Sequence, residues 1–239
     1  MRVLIGAGCF ADARSALRLV DRLAGSWLTE LGGLLLEDEG FPEIAYSPKQ
    51  RLVTAAGTFA EIPSRQEFGR LLERDAAAFR DMLSTVARSR KWTFERRRGD
   101  LIGSLRAAAS GWDMLLLGHS VLRRTTGQVV VILPPQNASW RSAELARDLA
   151  QVLGTGLHGL SLELETPASG AAAMQVDRFG DEDALLARLS RIPAAVLVVD
   201  LSAGPFRSDD QLRKLHVAAR CPIVVLGAGS EPALPVRTA

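Results

Sequence analysis

Gly6 and Gly8, with Ala11 three positions further on, spell G-x-G-x-x-A directly after the apolar run Arg2–Ile5. Where a first strand turns into a helix, such residues let backbone N–H groups close on a pyrophosphate, and the helix N-terminus favours the anion. An acid at the end of the next strand would hold the ribose, and Glu37 and Asp38 stand there. The same small residues also suit a plain packing turn, which is the alternative. Cys9 lies in this turn. A helix N-terminus can lower a thiol's pKa and make it reactive; the competing role is a small buried packing residue. A second cluster, Gly118-His119-Ser120, ends the apolar run Met114–Leu117, with Arg123 and Arg124 just beyond. Doubly wound folds place ligands at such strand ends, and the arginines could meet an anion. The alternative is a polar strand exit with solvated arginines.

The other reactive side chains form no pattern. His119, His158 and His216 have no ligand spacing, and Cys9 and Cys221 make neither a metal cluster nor a disulfide framework. No G-x-S-x-G elbow and no Walker A loop occurs. No catalytic residue and no metal ligand is therefore assigned, and the expectation is a protein that is not an enzyme. Lys+Arg 29 against Asp+Glu 27 leaves +2, and aromatics are 5%, so neither nucleic acid nor an anionic membrane is an expected partner. Apolar runs such as Val129–Leu133 and Ala194–Val199 fall far short of the roughly 20 residues of a membrane span. Met1–Cys9 carries one arginine and too little apolar length for a signal peptide, which points to the cytoplasm.

The elements that must position these residues follow from periodicity. Short apolar runs alternate with longer helical patterns, the mark of βαβ units around a parallel sheet. In the first half, strands are expected at Arg2–Ile5, Leu31–Leu36, Trp92–Arg96 and Met114–Leu117. Helices are expected from Asp12 to Leu28, from Ser64 to Arg90 and over Leu101–Ala109, with 37–63 as a long loop. Ser64 and Glu67 form a capping box. In the second half, strands are expected at Val129–Leu133, Leu157–Leu164, Ala172–Val176, Ala194–Asp200 and Ile223–Leu226. Its helices are expected over Ser139–Leu153, Asp181–Arg191 and Ser208–Ala219. The class is doubly wound α/β.

The halves also look like copies. A gap-free shift of 127 sets Val3 on Val130, Ile5 on Ile132, Arg14-Ser15-Ala16 on Arg141-Ser142-Ala143 and Gly32 on Gly159. Two units, 1–126 and 127–239, are the expectation.

From Trp92 to Ser120 the chain reads strand, Gly99-Asp100, apolar helix, then Trp112-Asp113-Met114-Leu115-Leu116-Leu117-Gly118-His119-Ser120. This resembles the universal stress protein family, as do the first strand and helix through Ala16-Leu17 and the long helix from Ser64. The second half resembles a degenerate second copy. The resemblance implies a regulatory or stress-response protein and pairing through the last strand, as an intramolecular pseudo-dimer or a homodimer. It also implies an ATP or AMP site. Family members that bind ATP carry an Asp where Gly8 stands here, and Pro135 takes the matching place in the second copy. Their phosphate loop has a second glycine soon after the one at Gly118, where this chain has Val121. Leu201-Ser202-Ala203-Gly204 likewise lacks it. Without glycine N–H groups a triphosphate loses its cradle. The expectation is thus a non-catalytic module without a cofactor, acting through a protein partner or a small ligand. The alternatives are an ATP/AMP-binding stress protein with an atypical loop, and a Rossmann-type dinucleotide enzyme. Any ligand should touch Gly6, Gly8, Cys9, Gly118, His119 and Ser120, with Arg123 or Arg124 supplying charge.

Overall fold

The computed structural model describes residues 1–23, 28–37, 52–53, 59–60, 64–119, 127–135, 138–162 and 174–229. Strand β1 (Arg2–Ala7) leads into helix α1 (Phe10–Leu23), whose Ala13, Ala16, Leu17 and Val20 recur at helical spacing and are all buried. Next come β2 (Glu30–Glu37), the two-residue strands β3 (Leu52–Val53) and β4 (Phe59–Ala60), and α2 (Arg65–Ala87). β3 and β4 pair antiparallel inside what the sequence marks as loop. The rest of that loop lies outside the described residues.

Helix α2 begins at the expected capping box: the Ser64 hydroxyl accepts from Glu67 N at 3.3 Å, and Glu67 Oε2 accepts from Ser64 N at 2.8 Å. The half closes with β5 (Lys91–Arg98), α3 (Leu101–Ala108) and β6 (Met114–Leu117). The second half runs β7 (Gln128–Ile132), α4 (Arg141–Leu153), β8 (Leu157–Ser161), β9 (Gln175–Arg178), α5 (Glu182–Leu189), β10 (Ala194–Asp200), α6 (Asp209–Ala219) and β11 (Ile223–Leu226). β8 starts at the expected Leu157, and β9 is shifted by two to three residues from its expected bounds.

Among the described residues, nine strands form one sheet in the order β5-β2-β1-β6-β11-β10-β7-β8-β9. All neighbours are parallel except β6 and β11, which pair antiparallel with Ile223 opposite Leu117 and Leu226 opposite Met114. The doubly wound α/β expectation holds, and the half-sheets are joined edge to edge. Outward from the joint one side reads β6-β1-β2-β5 and the other β11-β10-β7-β8-β9. The first half therefore ends on its fourth strand, and β11 lies where a fifth would.

Helices α1, α2 and α4 cover one face of the sheet and α3, α5 and α6 the other. Across the joint, Arg106 of α3 pairs with Asp209 of α6 at 3.1 Å and donates to the Ala228 carbonyl at 2.9 Å. Arg213 pairs with Asp100 at 2.8 Å.

The 127-residue shift needs correction. Val3 and Ile5 face the α1 layer, whereas Val130 and Ile132 face the opposite one. Strand side chains alternate with a period of two, so a one-residue slip exchanges the faces. A shift of 126 sets Val3 on Val129 and Ile5 on Val131, all on one face, and Leu17 and Val20 on the buried Ala143 and Ala146.

Candidate functional site

β1 and β6 are adjacent and parallel, so their carboxyl ends open on one edge, and Gly118 N donates to the Gly6 carbonyl at 2.8 Å. This brings together Gly6, Gly8, Cys9, Gly118 and His119, as the sequence expects. Ser120, Arg123 and Arg124 lie outside the described residues.

The glycines play different parts. A Cβ on buried Gly6 would sit 2.1 Å from Leu105 Cδ1, so the space left by its missing side chain is filled by α3. A Cβ on Gly118 would sit 2.5 Å from the Asp12 carbonyl oxygen, so this glycine lets β6 pass close under the α1 backbone. Gly8 is exposed, and its nearest neighbour would be Asp12 Oδ2 at 3.8 Å. Among the described residues, only Gly8 of the three keeps open space above it.

Among the described residues, the head of α1 at this edge carries acidic charge. The N-terminus of α1 presents backbone donors and the positive end of a helix dipole. Here the Phe10 N–H donates to Asp75 Oδ2 of α2 at 2.9 Å, and Asp12 adds a carboxylate in the first turn. Two carboxylates at one helix end suit the dipole and repel a phosphate. Burial, assisted by the Asp12 charge, pushes the Cys9 thiol above its ordinary value. The reactive-thiolate reading of Cys9 is therefore reversed, because burial disfavours the charged form more than the helix end favours it. Glu37, the candidate ribose holder, is engaged by Arg96 and by Arg98 at 3.5 Å. Asp38 is outside the described residues.

Residues that no local signal marks complete the edge. Ser15 Oγ donates to the Asp12 carbonyl at 2.7 Å and accepts from His119 N at 3.3 Å. His216 comes from α6 in the other half: its Nε2 lies 3.3 Å from the Gly118 carbonyl, and its ring centroid is 5.4 Å from that of His119. Burial, followed by the nearby His119, lowers the His216 pKa and favours the neutral ring, which donates from Nε2. Ninety-eight positions separate His216 from Gly118, so only the β6–β11 joint brings them together.

The matching edge of the second half closes on itself. Asp200 at the end of β10 is 3% exposed, and its Oδ1 accepts from Ser202 N, Ser202 Oγ and Ala203 N. Among the described residues no group of three His, Cys, Asp or Glu could hold a metal ion, and no helix is long and apolar enough to cross a membrane.

No protein-family model and no curated protein sequence matches this chain. Among solved structures, it is similar to a universal stress protein from Archaeoglobus fulgidus, with a TM-score of 0.49 and 11% identity over 94% of this chain and 95% of that one. It is also similar to a functionally unknown protein from Pseudomonas aeruginosa, with a TM-score of 0.46 and 12% identity over 95% and 92% of the two chains. The cytoplasmic domain of a prokaryotic cation chloride cotransporter gives a TM-score of 0.42 and 10% identity over 97% of each chain. Likenesses this distant carry no information on activity, ligand or partner.

Proposed function

We propose that this chain is a non-catalytic regulatory module of universal-stress-protein type, built from two diverged copies and acting in the cytoplasm through a protein partner. The sequence resemblance through Trp92–Ser120 supports the type. One observation carries the non-nucleotide reading: Asp75 caps α1 at the edge where phosphate would dock, with Asp12 beside it. An anion arriving there meets negative charge instead of open N–H groups. Leu105 in the space over Gly6 supports the same reading, since it keeps the β1 backbone from contacting a ligand.

The test is calorimetric titration of the full chain with ATP, AMP and NAD. No saturable heat is expected from any of them. Saturable ATP binding would favour the atypical-loop stress protein, and saturable NAD binding alone the dinucleotide enzyme. Either result overturns the reading.

A further inference from the structure

Helices α1 and α4 lie side by side on one face of the sheet, and their exposed surfaces carry opposite charges. On α1, Arg14, Arg18 and Arg22 recur at intervals of four and are all exposed, which sets them in one row along the helix. On α4, the 126-residue correspondence puts Glu144 in the place of Arg18 and Asp148 in that of Arg22, and both are exposed. Among the described residues, none of these five side chains makes an ion pair. Asp21, beside the arginine row, is held by Arg88 of α2 at 3.5 Å. By contrast, Arg2, Arg96, Arg97 and Arg98 of the same half all have carboxylate partners. Like charges four positions apart weaken a helix by itself, so neither row serves its own helix.

The fold makes the two rows complementary. Because β6 and β11 are antiparallel, β1 and β7 point in opposite directions, and α1 and α4 do so as well. A second copy, turned by half a rotation about a line running between these helices, lays its α4 on α1 and its α1 on α4. Each arginine row then faces a carboxylate row, twice over, as a two-fold interface requires. Pairing through the last strand is closed to a second copy, since β11 already has β6 on one side and β10 on the other.

We propose that two copies of this chain associate face to face through α1 and α4, with Arg14, Arg18 and Arg22 of each copy against Glu144 and Asp148 of the other. Helices of 14 and 13 residues, each about 20 Å long and about 10 Å wide, offer about 400 Å² per copy. A stable complex buries roughly 800 Å² per partner, so this dimer is weak and transient. Its opposed charges set orientation and encounter rate, and salt screens them.

Sedimentation velocity of the full chain tests this over a range of protein concentrations, at about 0.05 M and about 0.5 M salt. Reversible dimerisation is expected at the lower salt and its loss at the higher. Arg14→Glu, Arg18→Glu and Arg22→Glu together make both rows acidic; Glu144→Lys with Asp148→Lys makes both basic. Each variant alone should dimerise about tenfold more weakly than the parent, or not at all. Mixed, the two should form a heterodimer, because every acidic row then meets a basic one. Arg18→Gln, a milder change, should weaken the parent dimer in the same direction, with melting curves confirming that all the variants fold. A parent that stays monomeric overturns the proposal, whatever else binds the arginine row. So does a dimer indifferent to salt, a variant that dimerises like the parent, or a mixture that stays monomeric. The inference does not rest on the function proposed above, and the nucleotide titration can fail separately.

Discussion

Gly8 and Gly118 line the same edge and answer to substitution in opposite ways. Gly118→Ala drives a Cβ toward the Asp12 carbonyl, a backbone atom that moves only with α1. The expected loss is about 1–3 kcal/mol, the usual cost of overpacking. Gly8→Ala meets open space and should stay within about 0.5 kcal/mol of the parent. Urea denaturation of both variants checks this, and equal losses would contradict the packing role of Gly118. A valine at Gly118 is therefore a poor probe of ligand binding, since it disturbs the fold first.

His216 adds a pH dependence. Its pKa is lowered in the fold by burial and then by His119, so the unfolded chain binds the proton more tightly. The stabilisation is complete above the ordinary histidine value of 6.5 and is lost as pH falls below it through the lowered folded value. His216→Gln keeps an N–H donor for the Gly118 carbonyl and should flatten the stability profile between pH 7 and pH 5. Parallel profiles for variant and parent would rule this out.

At the scale of elements, α1 begins with help from another helix. Trp140 at the start of α4 makes no side-chain cap, and α5 and α6 are capped locally by Asp181 and Ser208. α1 instead borrows the Asp75 carboxylate from α2, sixty-five positions away. Asp75→Ala should cost roughly 0.5–2 kcal/mol, the range for losing an N-cap. Its effect should exceed that of Asp81→Ala, whose carbonyl, unchanged by the substitution, is what accepts from Ser84 and Thr85. Thermal melts of the two variants decide the matter, and an Asp75→Ala chain as stable as the parent would remove the cap. The face-preserving shift of 126 belongs to the same scale. Residue matches alone favoured 127, because Val, Ala and Arg are common in both halves, yet only 126 keeps the buried stripe of α1 on that of α4.

The whole molecule is held as one sheet. The β6–β11 joint, the Arg106 and Arg213 pairs above it and the contact between α1 and α4 tie the halves on both faces. Separate unfolding would break the joint and expose Leu115, Leu117, Ile223 and Val225, which lie in one buried cluster. One cooperative transition is expected. Tryptophan fluorescence, sampling Trp27, Trp92 and Trp112 in one half and Trp140 in the other, should give the same urea midpoint as far-UV circular dichroism. Midpoints that separate would show that the halves unfold independently. The outer strand β5 exposes Lys91, Glu95, Arg96, Arg97 and Arg98, charges that discourage another chain from adding to that edge.

Sequence alone determined the elements of the large sheet and its helices, though not the short β3–β4 pair. The apolar runs marked the strands of the large sheet, the spacing of Ala16, Leu17 and Val20 marked α1, and Ser64 with Glu67 marked the start of α2, because each signal lies within a few residues of what it specifies. The meeting of Gly6, Gly8, Cys9, Gly118 and His119 was legible as well, since parallel strands joined by helices must open their carboxyl ends on one side. What filled that edge was not legible. Leu105 over Gly6, Asp75 at the head of α1 and His216 beside Gly118 come from elements far away in the chain. No local period records which distant side chain arrives. The antiparallel pairing of β6 with β11 was likewise decided by tertiary structure, for it depends on the summed packing of both helix layers, whereas a strand's own residues specify only that it will pair.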